Sequence, residues 1–358
     1  MPELLKNIYN PAFIEKLAGH LKKNYPAFDH RSFIQNIFDD TWATLELKQR
    51  LRQITLMLRR HLPDNYRRAL IVLKKTAPHF NGFHAMFFPD YVEVCGLDDL
   101  EISLRALEYF TEFSSSEFAI RPFIIRYTDR VMRTMTTWTR HDNHHVRRLA
   151  SEGCRPRLPW AMALPEFKKD PAPILPILER LKTDPSEYVR RSVANNLNDI
   201  AKDHPELVLD IAQKWYGKKT ETDRIVRHAC RTLLKRSNGR ALSFFGFNST
   251  NGVHVTEFQW KPESLHIGQH GFFSFQVMVK DPVKLRIEYS IDFIKAGDKI
   301  SRKIFMISER EFSRASIVTF HKKHSFRNLT TRTHYPGKHV FTIVINGKQF
   351  VEKTFMLR

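Results

Sequence analysis

Val146-Arg147-Arg148, Val189-Arg190-Arg191 and Val226-Arg227-His228 are three copies of one phrase, set 43 and 37 residues apart. That is the period of stacked helix pairs of the HEAT type, in which each unit hides one face against its neighbours. An acidic or polar start precedes each copy: Asp142-Asn143, Asp184-Pro185-Ser186 and Thr222-Asp223. Such residues open helices by accepting hydrogen bonds from the first free amides. The repeat therefore predicts arginines at equivalent positions on successive helices. A ladder of cations along one wall of an α-solenoid suits a polyanion.

The apolar periodicity extends this reading over residues 1–243. Leu51, Ile54 and Leu58 form one helical stripe, and Tyr66, Leu70, Leu73 and Ala77 a second. Val189, Val193, Leu197 and Ile200 form a third. Asn238-Gly239 reads as the stop signal of the last helix. Residues 244–262, with Gly246, Asn248, Ser249, Asn251 and Gly252, read as a linker. Beyond it the period changes from 3.6 to 2. Phe273, Phe275, Val277 and Val279 alternate with other residues, and so do Leu285, Ile287, Tyr289, Ile291 and Phe293. Asn346-Gly347 joins two further strands and is a strong hairpin signal. Residues 263–358 are thus expected to form a small all-β immunoglobulin-like sandwich, with Tyr335 as a tyrosine corner. The fold class expected is mainly α: a HEAT-like solenoid followed by this sandwich.

Bulk composition narrows the partners. Lys and Arg outnumber Asp and Glu by 58 to 38 in 358 residues, a net charge of +20. Such an excess favours nucleic acid, because neutralising phosphates releases counterions. Residues 261–358 alone hold 18 Lys and Arg against 8 Asp and Glu, and the expected loop from His321 to His334 is especially basic. No apolar run approaches the ~20 residues of a membrane span, and no signal peptide is read before the first helical stretch. Three scattered cysteines, Cys95, Cys154 and Cys230, suit a reducing cytoplasm. Association with the bacterial nucleoid when bound to DNA, and action as a monomer, are the matching expectations.

Several residues stand out chemically. Arg191, Asn195 and Asp199 follow each other at four-residue spacing, and Arg148 and Glu152 stand in the same relation. Arg155, Arg157 and Trp160 come just after, in a segment interrupted by Pro156 and Pro159. Carboxylates repel DNA, so acids on a basic wall need another purpose. They either hold Arg148 and Asn195 in place or take part in a reaction. Glu117 also reads two ways. Ser114-x-x-Glu117 matches a capping box, yet Phe113 and Glu117 at helical spacing would project a ring and a carboxylate together. His141, His144 and His145 read as an exposed loop rather than a metal site. No Gly-rich phosphate loop, nucleophile elbow or zinc spacing is present in the sequence. Neither a metal nor a cofactor is expected.

The stretches 113–123 (FSSSEFAIRPF), 147–161 (RRLASEGCRPRLPWA) and 188–201 (YVRRSVANNLNDIA) resemble the AlkC branch of the AlkC/AlkD DNA glycosylases. The added sandwich looks like the variant of this branch with a carboxy-terminal immunoglobulin-like domain. The resemblance implies a monofunctional glycosylase acting on duplex DNA. It would remove 3-methyladenine and 3-methylcytosine to start base excision repair, without drawing the nucleotide into a deep pocket. Glu117 and Asp199 would be the catalytic carboxylates, with Glu152 beside them and Trp160 lining the lesion-facing surface. Arg148 would lie near the DNA backbone. Phe113 stands where the AlkD-like branch has a tryptophan, so stacking there differs. Arg155, Arg157, Arg190, Arg191, Asn195 and Arg227 complete the expected DNA-facing set. The rival expectation is a HEAT-repeat protein that binds damaged or structured nucleic acid without cleaving it.

Overall fold

The computed structural model describes residues 4–329 and 332–358. The chain forms two compact units, Met1–Ala229 and Cys230–Arg358. In the first unit, α1 (Pro11–Asn24), α2 (His30–Ile37), α3 (Leu47–His61), α4 (Tyr66–Thr76) and α5 (Phe87–Cys95) come first. They are followed by α6 (Leu100–Phe110), α7 (Ile120–Arg126), α8 (Thr128–Trp138), α9 (His144–Glu152) and α10 (Pro165–Lys169). The last four are α11 (Leu175–Leu181), α12 (Glu187–Ile200), α13 (Pro205–Trp215) and α14 (Thr220–Ala229). Among the described residues no helix is long and apolar enough to cross a membrane.

The repeated phrase falls on α9, α12 and α14, and α12 packs between the other two. Val146, Val189 and Val226 are all buried at these contacts, each worth about 1.5–3 kcal/mol of apolar burial. Polar ties reinforce the α9–α12 seam. Ser151 Oγ donates to Ser192 Oγ at 2.7 Å, and Asn196 Nδ2 donates to the Ser151 carbonyl at 2.8 Å. Asn143 caps α9 by accepting from the His145 amide at 2.8 Å. The third repeat starts earlier than its sequence suggests. Thr222 and Asp223 lie inside the first turn of α14, where the Asp223 side chain accepts from the Gly217 amide at 2.7 Å.

At the second phrase position, Arg147 and Arg190 bond the main chain. Arg147 Nη1 donates to the carbonyls of His141 and Asp142, at 2.9 and 2.7 Å. Arg190 Nη1 makes the same pair of bonds one repeat later, to the carbonyls of Asp184 and Pro185 at 2.6 and 2.9 Å. Both arginines are thereby tied to the loops that precede their own helices. Arg147 also grips the Asp184 carboxylate at 2.6 and 3.0 Å. Asp184 in turn accepts from the Ser186 amide at 2.9 Å.

Among the described residues the second unit holds α15 (Arg231–Lys235), α16 (Gly239–Phe244) and eight strands. These are β1 (Val253–Lys261), β2 (Ser264–Leu265), β3 (His270–Val279), β4 (Val283–Ile294), β5 (Ile300–Phe312), β6 (Ser316–Ser325), β7 (Gly337–Ile345) and β8 (Lys348–Leu357). One sheet has the order β1-β3-β6 and the other β2-β8-β7-β4-β5. Trp260 and Phe273 of the first meet Phe341 of the second, at ring separations of 4.9 and 4.7 Å, in the core between them. Asn346-Gly347 makes the expected tight turn, with both residues at positive φ.

Five expectations change here. Asn238-Gly239 opens α16 instead of closing a helix, because the Asn238 side chain accepts from the Ala241 amide at 2.9 Å. Residues 244–262 are not all linker: they contain β1, which pairs antiparallel with β3. The unit boundary lies at Ala229/Cys230 rather than 243, since the Leu242 and Ser237 side chains sit against the turn at Gly347. Residues 321–325 of the expected basic loop belong to β6, and Thr330 and Thr331 lie outside the described residues. Tyr335 enters the fold through its carbonyl, which meets His339 Nε2 at 3.0 Å.

Candidate active site

Glu117 lies in the turn between α6 and α7, not on a helix. The capping box is absent because no helix starts after Ser114, whose Oγ has no hydrogen-bond partner among the described residues; the Ser116 Oγ donates to the Leu107 carbonyl at 2.8 Å and closes the end of α6. Helix α7 begins only at Ile120, without a side-chain cap. For the same reason helical spacing does not pair Phe113 with Glu117. The Phe113 ring packs edge-on against Tyr109 at 5.2 Å. Glu117 instead turns toward α9. Ser115 Oγ donates to its carboxylate, Arg148 Nη1 donates to the same oxygen, and the Ser115 hydroxyl accepts from Arg148 Nη1 at 2.8 Å.

From Arg148 a strip of alternating charge runs on. Arg148 Nη2 lies 3.4 Å from Glu152 Oε1, one turn along α9. Arg155 Nη1 donates to the same Glu152 oxygen at 2.6 Å, and Arg155 Nε donates to Asp199 Oδ2 on α12 at 2.8 Å. Lys202 Nζ donates to Asp199 Oδ1 at 2.8 Å. The order is Glu117, Arg148, Glu152, Arg155, Asp199, Lys202. Glu152 is 5 % exposed and Asp199 1 % exposed. Buried carboxylates persist only when paired and hydrogen-bonded, and the two guanidiniums satisfy that need. Burial pushes the Glu117 carboxyl above its ordinary range; Arg148 opposes the shift and Glu152 adds to it. Burial pushes the neighbouring Cys154 thiol up to about 12, so it remains protonated and is no nucleophile.

The remaining candidates divide by setting. Trp160 is 63 % exposed, on a loop after α9, with its ring edge-on to Phe83 at 6.2 Å. Arg157 pairs with Asp203 at 2.6 Å. Arg191 is exposed and pairs with Glu187 at 3.0 Å. Asn195 Oδ1 meets His228 Nε2 at 2.8 Å. Arg190 is held by loop carbonyls, as described, and Arg227 is half-buried on α14. Sequence reasoning missed Ser115 and Tyr188. The Arg148 guanidinium lies 4.8 Å over the Tyr188 ring, whose edges meet His144 and His145. His144 and His145 lie in the first turn of α9 against this ring, and His141 Nδ1 accepts from the Asn143 amide at 3.0 Å just before it. Among the described residues, no three His, Cys, Asp or Glu side chains gather as a metal set.

Comparison with known proteins places this arrangement. A family model described as DNA alkylation repair enzyme matches residues 92–233, which contain every residue of the strip. A second, described as the C-terminal immunoglobulin-like domain of the uncharacterised protein YhaZ, matches residues 254–358. The uncharacterized protein YhaZ of Bacillus subtilis is 44 % identical over 344 residues, covering 96 % of each chain. The alkylpurine DNA glycosylase AlkC of Pseudomonas fluorescens, solved bound to DNA containing an abasic site analog, superposes with a TM-score of 0.95. It is 38 % identical, over 99 % of this chain and 100 % of that one. The chain belongs to the AlkC branch of the DNA alkylation repair enzymes. Its mainly α fold with a carboxy-terminal immunoglobulin-like region is that of AlkC.

Proposed function

We propose that this protein is a monofunctional DNA glycosylase that hydrolyses the N-glycosidic bond of cationic alkylated bases, 3-methyladenine and 3-methylcytosine, in duplex DNA. The observation that carries this reading is the strip of three carboxylates held by Arg148 and Arg155 beside the loop of exposed Trp160. A base alkylated at N3 already bears positive charge and leaves readily, so little general-acid help is needed. What the reaction needs is stabilisation of an oxocarbenium-like sugar and a positioned water, which carboxylates provide. Glu117 is the most accessible of the three, with its side chain 13 % exposed. It faces the sugar and the water, while Asp199 and Glu152 supply the negative field behind it.

Arg148 and Arg155 pair with these acids in a buried setting and fix their direction. Trp160 meets the exposed deoxyribose or base from the loop. Lys202, the amine beside Asp199, is engaged as its ion-pair partner, which favours hydrolysis by water over attack by an amine. No deep base-binding cavity is invoked: the lesion is read near the stack, and only bases with labile bonds are released. Incubation with methylated DNA and chromatography of released bases tests the reading. Glu117→Gln and Asp199→Asn should retain DNA binding and release 3-methyladenine at least about a hundredfold more slowly. Wild-type rates in both variants sink the assignment, and a wild-type chain that binds but releases nothing supports the binding-protein alternative.

A further inference from the structure

We propose that Arg121 and Lys48 are positioning residues that set the Trp160 loop against the carboxylate strip, an inference that rests on the function proposed above. Trp160 has a φ of 66°, the left-handed region that L side chains with a Cβ avoid. A residue keeps such a conformation only where its surroundings over-determine it. Here the restraint falls on the carbonyls on either side of Ala161. Lys48 Nζ, from α3, donates to the Trp160 carbonyl at 2.6 Å. Arg121 Nε, from α7, donates to the Met162 carbonyl at 2.6 Å.

Arg121 is the larger surprise. It is fully buried and among the largest fully buried side chains of the chain. Burial pushes its guanidinium down to about 10, so it still carries its proton at neutral pH. Its second bond runs from Nη1 to the Gly153 carbonyl at 2.9 Å, and Nη2 has no hydrogen-bond partner among the described residues. A buried cation served only by carbonyls is a poor way to gain stability. Its placement explains it. Arg121 follows Glu117 by four residues, Gly153 follows Glu152 directly, and Met162 follows Trp160 by two. One guanidinium thus joins the three segments that carry Glu117, Glu152 and Trp160. Lys48 adds a tie to the same region, lying 5.4 Å over the ring of Phe118, next to Glu117.

Two measurements on the full-length chain test this. The first needs no DNA: acrylamide quenching, with the Trp160 contribution isolated as the difference between matched chains with and without Trp160→Phe. Lys48→Met and Arg121→Lys should both make Trp160 more accessible. Lys48 is exposed on α3, so its variant folds even if Arg121→Lys does not. Unchanged quenching in Lys48→Met overturns the proposal. The second is a double-mutant cycle on single-turnover release of 3-methyladenine. Lys48→Met should slow release about tenfold to a hundredfold, with binding to undamaged duplex unchanged. In a Trp160→Ala background it should add nothing. If Trp160→Ala slows release and the two effects multiply, the clamp is wrong and the glycosylase reading stands. If Trp160→Ala releases base at the wild-type rate, the proposed role of Trp160 falls and the clamp falls with it.

Discussion

Arg155 offers the sharpest test of the charge strip. Arg155→Met keeps most of the side-chain volume and removes the guanidinium that joins Glu152 to Asp199. In the native chain Arg155 is 6 % exposed and makes contacts of 2.6 Å to Glu152 and 2.8 Å to Asp199. Asp199 keeps Lys202 at 2.8 Å, and Glu152 keeps only the longer Arg148 contact at 3.4 Å. Removing one partner of a buried pair typically costs about 3–5 kcal/mol, chiefly by stranding the other charge. Because both acids retain a second cation, the lower part of that range, about 3 kcal/mol, is expected. The assay is urea unfolding of wild type, Arg155→Met, Glu152→Gln and the double variant at neutral pH. Adding Glu152→Gln to Arg155→Met should restore part of the lost stability by removing the stranded charge. A loss under about 1 kcal/mol, the size of a surface pair, would show that the strip is solvated, and a double variant no more stable than Arg155→Met would refute the stranded-charge argument.

Two further outcomes follow from the same geometry. If Glu117 acts as its carboxylate, excision should fall as pH drops through its raised value; the acidic limb of the single-turnover profile should lie above the ordinary carboxylate range and disappear in Glu117→Gln. A limb at the usual carboxylate value would remove Glu117 from that role. On β6, Lys322 and Lys323 are exposed, and Lys322→Ala with Lys323→Ala should lower the slope of log affinity against log salt by up to about 2, near 0.9 for each phosphate that is no longer neutralised. Fluorescence anisotropy across a salt series measures it, and an unchanged slope would leave this sheet without a role in holding DNA.

Much of the helical organisation is legible from residues alone. The valines of the repeated phrase are buried because their spacing has the period of the fold, and side-chain identity carries that signal. Arg147 and Arg190 beside them also bond main-chain carbonyls of the preceding loops, which no residue code displays. Glu117 shows the same limit. Its segment has the letters of a capping box, but no helix starts after Ser114 and the next one waits until Ile120. Strand β1 hides because Glu257 takes a positive φ and the register shifts between Thr256 and Gln259, which breaks the alternation. In the Leu285–Phe293 run the expected inner face is buried, yet Arg286, Glu288 and Ser290 on the other face are buried too. Arg286 there pairs with Glu288 and Glu309. Arg121 did leave a trace, as a lone cation in the apolar run 120–125. Nothing local says that it reaches Gly153 and Met162. The acids and Trp160 were readable as candidates because carboxylates on a basic wall call for a reason.

Asp184 carries a consequence beyond its bonds. Its carboxylate is gripped by Arg147 of one repeat, and its carbonyl is held by Arg190 of the next. The joint between these repeats therefore has no slack: a displacement of α9 is transmitted to α12 through one residue, much as a pinned truss passes load between members. A wall pinned this way resists a change of angle between the two repeats.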